Sequence, residues 1–153
     1  MKTEIYIQGG TKNPATQKIA HARWKIVCIT NTGAVETRDG YVAINNATTK
    51  RAVLTALRDA LQRFNKAAVL KIYISDDYVR NALLSHWPTR WKSNSWHKIR
   101  LNGDIKHLDL WQQLLSQLSN HAVTFAKDDE LENKYSKELE EKFNGRKQEH
   151  RHL

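Results

Sequence analysis

Residues 86–111 read HWPTRWKSNSWHKIRLNGDIKHLDLW, and this stretch does most to decide the fold. It sets tryptophans at positions 87, 91, 96 and 111 among the cations Arg90, Lys92, Lys98, Arg100 and Lys106. Apolar rings interleaved with cations suit a nucleic-acid backbone, which offers both sugars and charge. Because Trp87 and Trp91 fall at helical spacing, we expect both to pack this segment against the domain. Trp96 fits either packing or a contact with nucleic acid.

Hydrophobic periodicity on both sides of this stretch predicts a mixed α/β domain. In the first segment Ile5 and Ile7 share one side, and Glu4, Tyr6 and Gln8 share the other. We expect, in order, strands at Thr3–Gln8, Ala20–Thr30 and Ala34–Ala43, a helix at Thr49–Phe64, a strand at Val69–Ser75 that can lie parallel to the first, a helix from Asp76 or Asp77 to about His86, the basic segment, a helix at Leu108–Leu118, a strand at Ala122–Ala126 and a charged helix at Glu130–Phe143. Residues 1–143 then form one domain, and residues 144–153 form a polar tail that frays.

The charge of the chain indicates a polyanionic partner. The net charge is +9 over 153 residues. Residues 1–126 hold 18 Lys and Arg against 8 Asp and Glu, whereas residues 127–153 hold 7 against 8. The excess therefore belongs to the body of the domain and favours nucleic acid over a membrane surface. The alternative is a basic surface with no dedicated partner.

Cysteine usage and hydropathy indicate a cytoplasmic protein. Cys28 is the one cysteine, so the chain forms no internal disulfide, which suits a reducing compartment. No apolar run approaches the roughly 18 residues that span a membrane, and the first residues enter an alternating pattern with no signal-peptide core. We expect a cytoplasmic protein with no membrane association.

The tryptophan spacing resembles that of the type 1 ribonuclease H family. Trp87-x3-Trp91-x4-Trp96 followed by Lys106-His107-Leu108-Asp109-Leu110-Trp111 carries the resemblance, which extends over about residues 3–143. Asp76-Asp77-Tyr78-Val79-Arg80, Asn45-Asn46 and Gly9-Gly10 with Asn13-Pro14 add weaker matches. The resemblance implies a ribonuclease H-like fold: a five-stranded mixed sheet, its first three strands antiparallel, with helices on both faces and a basic protrusion.

The resemblance also implies where an active site would lie. The family cuts RNA in RNA–DNA hybrids with two magnesium ions held by four carboxylates, because clustered anions are needed to hold two cations. The matching positions here are Gln8, Thr49, Ser75 and Lys137. None is a carboxylate, so we expect a pseudoenzyme that holds no metal and no cofactor. The alternative is a metal-dependent nuclease with relocated carboxylates, drawn from Glu4, Asp76, Asp77, Glu130, Glu132 and Glu138.

Binding residues follow from the same resemblance. Asn13, Asn45 and Asn46 match family positions that contact the minor groove or a phosphate, although a turn and helix cap alone would also explain the asparagine pair. The predicted nucleic-acid-binding set is Asn13, Asn45, Asn46, Arg90, Lys92, Trp96, Lys98 and Arg100. The predicted function is a catalytically inactive domain that binds a hybrid or duplex through the basic protrusion. The other alternative is a scaffolding module with a protein partner and no nucleic-acid role.

Overall fold

The computed structural model describes residues 2–13, 18–96 and 106–151, the last six of these through their backbone only. The elements are β1 Lys2–Lys12, β2 Ile19–Ile29, β3 Val35–Asn45, α1 Thr49–Leu61, β4 Val69–Ile74, α2 Asp77–Leu84, α3 Trp87–Ser93, α4 Leu108–Leu118, β5 Ala122–Ala126 and α5 Asp129–Arg151. This order matches the predicted one, with α3 opening the basic segment.

The strands form one mixed sheet in the order β3-β2-β1-β4-β5. β1 pairs antiparallel with β2, and β2 with β3, while β4 runs parallel to β1 and β5 parallel to β4. The predicted architecture is therefore confirmed, including the parallel fourth strand. β1 lies at the centre, and the carboxyl end of β4 meets it at Ile7, the partner of Ile74, while β1 continues beside β2 to Lys12.

One face of the sheet packs against α1. Ile5 and Ile7 of β1 point to this side, and both are buried as their alternation predicts. α1 meets them with a fully buried stripe that includes Val53 and Leu57. The helix begins at Thr49 because the hydroxyl of Thr48 accepts the backbone N–H of Arg51 at 3.2 Å, which satisfies one free donor of the first turn.

The opposite face is covered by α5, and this corrects one expectation. Tyr6, expected on the polar side of β1, is only 9% exposed. Tyr135 of α5 packs against it with ring centroids 5.1 Å apart, and Tyr73 of β4 stacks on it at 4.7 Å. The charges of α5 hide a stripe of buried residues spaced four apart, Tyr135, Leu139 and Phe143. Both faces of β1 are consequently buried near its middle.

The last helix is longer than the sequence predicts. α5 runs from Asp129 to Arg151, rather than ending at Phe143 before a frayed tail. Ion pairs of Glu138 with Arg23, of Glu140 with Lys12 and of Lys142 with Asp39 fix its polar flanks to the sheet. Within the described ranges, no helix is long and apolar enough to cross a bilayer.

Candidate nucleic-acid interface and central cavity

Gln8 and Ser75 lie side by side where the pairing of β1 with β4 ends. The backbone N–H of Ser75 donates to the carbonyl of Ile7 at 3.1 Å. The backbone N–H of Gly9 in turn donates to the Ser75 hydroxyl at 3.3 Å. Two positions that the resemblance assigns to metal-binding carboxylates therefore meet here, and both side chains are neutral.

Thr49 is held at the same end of the sheet. Its hydroxyl shares a hydrogen bond with the hydroxyl of Thr11 on β1. The close approach of α1 to β1 depends on Gly9, because a Cβ there would overlap the Val53 side chain. Thr49 thus lies against β1 as the resemblance implies, with a hydroxyl committed to a local hydrogen bond.

Lys137, the position predicted as the fourth, does not line the cavity beside Gln8. Lys137 is exposed on α5, two turns beyond the start of that helix at Asp129. The residues that line this cavity from α5 belong to its beginning and include Glu132, and Asp128 just before the helix lines it too. The loop between β5 and α5 is only two residues long.

A small cavity lies between Gln8, Ser75 and the start of α5. Its volume is about 10 Å³, room for roughly one water molecule. It is lined by Tyr6, Ile7, Gln8, Tyr73, Ile74, Ser75, Asp128, Leu131, Glu132 and Tyr135. Asp128 accepts the backbone N–H of Leu131 at 3.1 Å and so caps α5. Asp128, which caps α5, and Glu132 on its first turn therefore line the cavity beside Gln8 and Ser75.

Glu132 has an unusual environment in this cavity. Its Oε1 is buried and has no hydrogen-bond partner among the described residues. Burial raises the pKa of the Glu132 carboxyl, and the nearby Asp129 and Asp77 raise it further while Lys127 and Arg80 oppose the rise. A carboxyl that retains its proton to a higher pH than usual is a feature of acid–base sites as well as of strained structural ones.

The described side chains do not fit a two-magnesium site. Within the part of the chain that the structure describes, no group of three or more His, Cys, Asp or Glu side chains lies close enough to hold an ion. The other acids near the sheet are engaged elsewhere. Glu4 accepts from the Tyr6 hydroxyl, Asp76 accepts from the Val79 backbone N–H at 2.9 Å, and Asp77 pairs with Arg80. The side chains at this site therefore differ from the four carboxylates that the resemblance implies.

α3 presents two cations outward and turns its indoles inward. Trp91 is 8% exposed and packs edge-on against Trp111 of α4 at 5.5 Å, while Trp87 is half-buried 6.4 Å from Trp91. The predicted packing role of both tryptophans is confirmed. Arg90 and Lys92 are exposed on the same short helix. The tryptophans therefore hold α3 against the domain, and different residues of the same helix carry its charge.

The remaining predicted contact residues are placed as follows. Trp96 is half-buried and packs against the core. Lys98 and Arg100 lie outside the described residues. Asn13, Asn45 and Asn46 are exposed, and Asn46 adopts a left-handed φ of 55° while its N–H donates to the Lys18 carbonyl at 2.7 Å. Asn45 therefore ends β3 and Asn46 begins the turn that follows, and both residues are exposed.

Two residues that sequence reasoning missed connect the start of α1 to the other helices. The Lys50 ammonium lies 5.3 Å from the ring centroid of Tyr78, which meets Trp87 edge-on at 5.7 Å. His107, at the start of α4, contacts the Thr48 hydroxyl at 3.5 Å. Burial, and then Arg51, lower the pKa of His107. The one signal in the sequence is position: Lys50 lies on the first turn of a helix, and His107 lies just before one.

Comparisons with known proteins place the chain in a family. The ribonuclease H family model matches residues 2–127, so the chain belongs to the ribonuclease H family. A ribonuclease H of Caldicellulosiruptor saccharolyticus is 33% identical over 82 residues, which cover 54% of this chain and 56% of that protein. A ribonuclease HI of Rickettsia prowazekii is 36% identical over 76 residues, covering 50% and 49%. The match thus spans about half the length of these curated relatives.

Solved structures share the fold. A type 1 ribonuclease H with a type 2 active-site motif superimposes with a TM-score of 0.73 at 18% identity, covering 90% of this chain and 69% of that one. A foamy viral protease–reverse transcriptase in complex with RNA/DNA hybrid gives 0.64 at 14% identity, covering 82% and 17%. At this identity the likeness shows the ribonuclease H-like fold alone.

These comparisons contradict the prediction of a pseudoenzyme. The relatives that match carry the name of an enzyme, ribonuclease H, and nothing in them marks a loss of activity. The prediction rested on four replaced carboxylates, and Lys137, taken as the fourth, lies outside the cavity that Asp128 and Glu132 line beside Gln8. The expectation of an inactive chain is therefore wrong.

Proposed function

We propose that this domain binds an RNA–DNA hybrid or duplex through the outward face of α3 and the turn before α1. The observation that carries the proposal is the arrangement of α3, whose indoles anchor it while Arg90 and Lys92 face solvent. Cations held on a rigid, anchored helix can meet phosphates without first being ordered. Lys50, on the first turn of α1, lies over the ring of Tyr78 on α2, and that ring contacts Trp87 of α3.

Charge and family membership support the proposal. The excess of positive charge belongs to residues 1–126, which contain both elements. Fold neighbours include foamy viral reverse transcriptase chains solved in complex with double-stranded DNA and with RNA/DNA hybrid. We include Trp96, Lys98, Arg100 and Asn13 in the proposed contact set. Uncharged amides at the asparagine positions can bond to 2′-hydroxyls or base edges.

The test is hybrid binding by a charge-reversed α3. Fluorescence anisotropy with a labelled RNA–DNA hybrid should give an affinity that falls steeply with salt. The variant Arg90→Glu/Lys92→Glu should bind the hybrid at least about 10-fold more weakly. The slope of log K plotted against log salt concentration should be shallower by about 1.8, because two phosphate contacts are lost. Lys66→Glu/Arg38→Glu, exposed cations elsewhere, is the matched control. Unchanged affinity of the α3 variant, or no binding at low salt, would refute the proposal; the second result would favour a scaffolding module.

A second candidate is cleavage of the bound hybrid, for which Glu132 and Asp128 bring two carboxylates to the cavity beside Gln8 and Ser75, fewer than the four of a two-magnesium site. Cleavage of a labelled hybrid should be measured with magnesium and with manganese. Glu132→Gln should abolish it, while Lys137→Gln on the exposed side of α5 should leave it unchanged. Absence of metal-dependent cleavage by the parent chain rules this candidate out without affecting the binding proposal.

We further propose that the domain works in the cytoplasm. Cys28 is a free thiol on β2, and it lies 3.4 Å from the Thr3 hydroxyl. A single cysteine cannot form a disulfide within the chain, and a free thiol suits a reducing compartment. Fluorescence microscopy of the tagged chain in its host checks this placement, and a signal confined to the envelope would contradict it.

A further inference from the structure

The α5 side of the sheet carries an array of tyrosines and lysines away from α3. Lys25, Tyr6 and Tyr73 are direct partners across β2, β1 and β4, so they form one row on this face. Lys71 lies two residues before Tyr73 on β4 and therefore shares its face. Lys134 and Tyr135 project from α5 beside the row. We name the six residues Tyr6, Tyr73, Tyr135, Lys25, Lys71 and Lys134 the tyrosine–lysine surface.

Each lysine of this surface lies over a ring rather than a carboxylate. The Lys71 ammonium is 5.2 Å from the centroid of Tyr73, and those of Lys25 and Lys134 are 5.5 and 5.7 Å from the centroid of Tyr135. Among the described residues, none of the three forms an ion pair. A cation on a tyrosine ring keeps its full charge available to an anion in solvent.

Several acids close to the surface are engaged by other groups. Glu4 pairs with Lys2 at 3.3 Å and accepts from the Tyr6 hydroxyl, and Arg23 holds both Asp39 and Glu138. A hydrogen bond with Tyr73, together with the neighbouring anions Glu4 and Asp128, raises the pKa of Lys71. Burial, with Arg23 and Lys134 as neighbouring cations, lowers the pKa of Lys25. These acids form no ion pair with Lys25, Lys71 or Lys134, so each ammonium can still bind a phosphate.

The shape of this face favours a single strand over a duplex. α5 stands on the sheet with a diameter of about 10 Å, so Lys25 and Lys71 lie at the foot of a step formed by the helix. A flexible strand can follow the step, and its bases or sugars can meet the half-buried ring of Tyr73. A rigid duplex would rest on α5 and miss the sheet.

We propose that the tyrosine–lysine surface binds a single-stranded nucleic acid, with phosphates on Lys25, Lys71 and Lys134 and stacking or sugar contacts on Tyr73. This contact is separate from the hybrid interface on α3. It gives the domain two nucleic-acid faces on opposite sides of one sheet, so that a free strand next to a bound duplex can be held at the same time.

The test is binding of a labelled oligothymidylate and of the labelled hybrid by Lys71→Glu/Lys134→Glu, whose two altered side chains are exposed. Single-strand affinity should fall at least about 10-fold, with a log–log salt slope shallower by about 1.4 for two lost phosphates. Hybrid affinity should stay within about twofold. The control Lys66→Glu/Arg38→Glu makes the same change of net charge and should change neither affinity by more than about twofold.

Three outcomes overturn the inference. The first is single-strand affinity within about twofold of the parent chain, and the second is an equal loss in the control. The third is an equal loss of hybrid affinity, which would mark the surface as a duplex contact. If circular dichroism shows that the glutamate variant misfolds, Lys71→Gln/Lys134→Gln is read by the same criteria. The failure of the α3 proposal is distinct, because it is decided by Arg90→Glu/Lys92→Glu on the hybrid.

Discussion

Trp24 of β2 lies across Gly40, its direct partner on β3. A Cβ at Gly40 would come closer than 3.0 Å to atoms of the indole, a separation that real Cβ atoms essentially never show. The ring is 7% exposed although β3 is the outermost strand on that side. The glycine thus lets one aromatic residue cover two strands near the sheet edge, where the Arg63 guanidinium lies 6.0 Å from the ring.

Replacement of this glycine should destabilise the fold. Gly40→Ala forces the indole out of its position, and we expect a loss of about 1–3 kcal/mol in the free energy of unfolding, measured by urea denaturation. Gly145→Ala is the matched control. A Cβ there has no neighbour within 4 Å and lies in a helix, so that variant should be neutral or more stable by up to about 1 kcal/mol. Equal stability of the two variants would contradict the packing described here.

His21 should make the stability of the fold dependent on pH. It is 1% exposed, shares a hydrogen bond with Tyr41 at 2.9 Å and meets Phe143 edge-on at 5.4 Å. Burial lowers the pKa of His21, with Glu140 opposing and Lys12 adding to the decrease. The unfolded chain therefore takes up a proton at a higher pH than the folded one, and stability falls as the pH drops below about 6.5.

Urea unfolding at several pH values between 8 and 5 measures this effect. His21→Gln should lower stability at neutral pH and reduce the decline on acidification. The exposed His86 is the control, as His86→Asn tolerates its left-handed φ of 57° and should keep the parent slope. If the free energy of unfolding of His21→Gln changes with pH as steeply as that of the parent chain, this histidine does not set the pH dependence.

Arg51 and Asp109 should contribute a small, acid-sensitive stabilisation. Their two hydrogen bonds, both 2.7 Å, join α1 to the first turn of α4, and the Arg51 guanidinium lowers the pKa of Asp109 to about 2. The contribution is present above the unfolded value of 3.8 and is lost as the pH falls through about 2. Because the pair is exposed, Asp109→Asn should cost no more than about 1 kcal/mol in thermal or urea unfolding. A loss of unfolding free energy larger than this would show that water has little access to the ion pair.

Arg80 should matter more to stability than its ion pair with Asp77. It is 9% exposed, and its Nη1 donates to the carbonyl of Ile74 at 2.7 Å, at the end of β4. Arg80→Met leaves that carbonyl without a partner, and we expect a loss of about 2–3 kcal/mol in urea unfolding. Asp77→Asn alters only an exposed partner and should cost less than about 1 kcal/mol. If Asp77→Asn instead costs more stability than Arg80→Met, the ion pair is the larger source of stabilisation.

The sheet and most helices follow from patterns that act over short distances. Ile5 and Ile7 alternate, and Val53 and Leu57 repeat at helical spacing, so their burial was predictable. Tyr6 was not, because its burial depends on α5, which returns to the sheet more than 120 residues later. The hidden stripe of Tyr135, Leu139 and Phe143 lies among charges that suggest a solvent-exposed helix.

The candidate site was predictable only in part for a similar reason. Gln8 and Ser75 follow from where two strands end, and the structure places them together. Glu132 enters from a helix whose register depends on the length of the preceding loop, which the sequence does not fix. Neither the inward packing of Trp96 nor the lysines stacked over tyrosines has a periodic signal that a single sequence reveals.

On α3 the tryptophans pack against the domain and the cations face solvent, and this separation affects how the domain can evolve. Its tryptophans secure the helix from below, so Arg90 and Lys92 contribute little to holding it in place. Substitutions at these outward positions can accumulate, reverse sign or be regained while the scaffold stays intact. Recognition can therefore drift toward a new substrate independently of folding, because the residues selected for each are different.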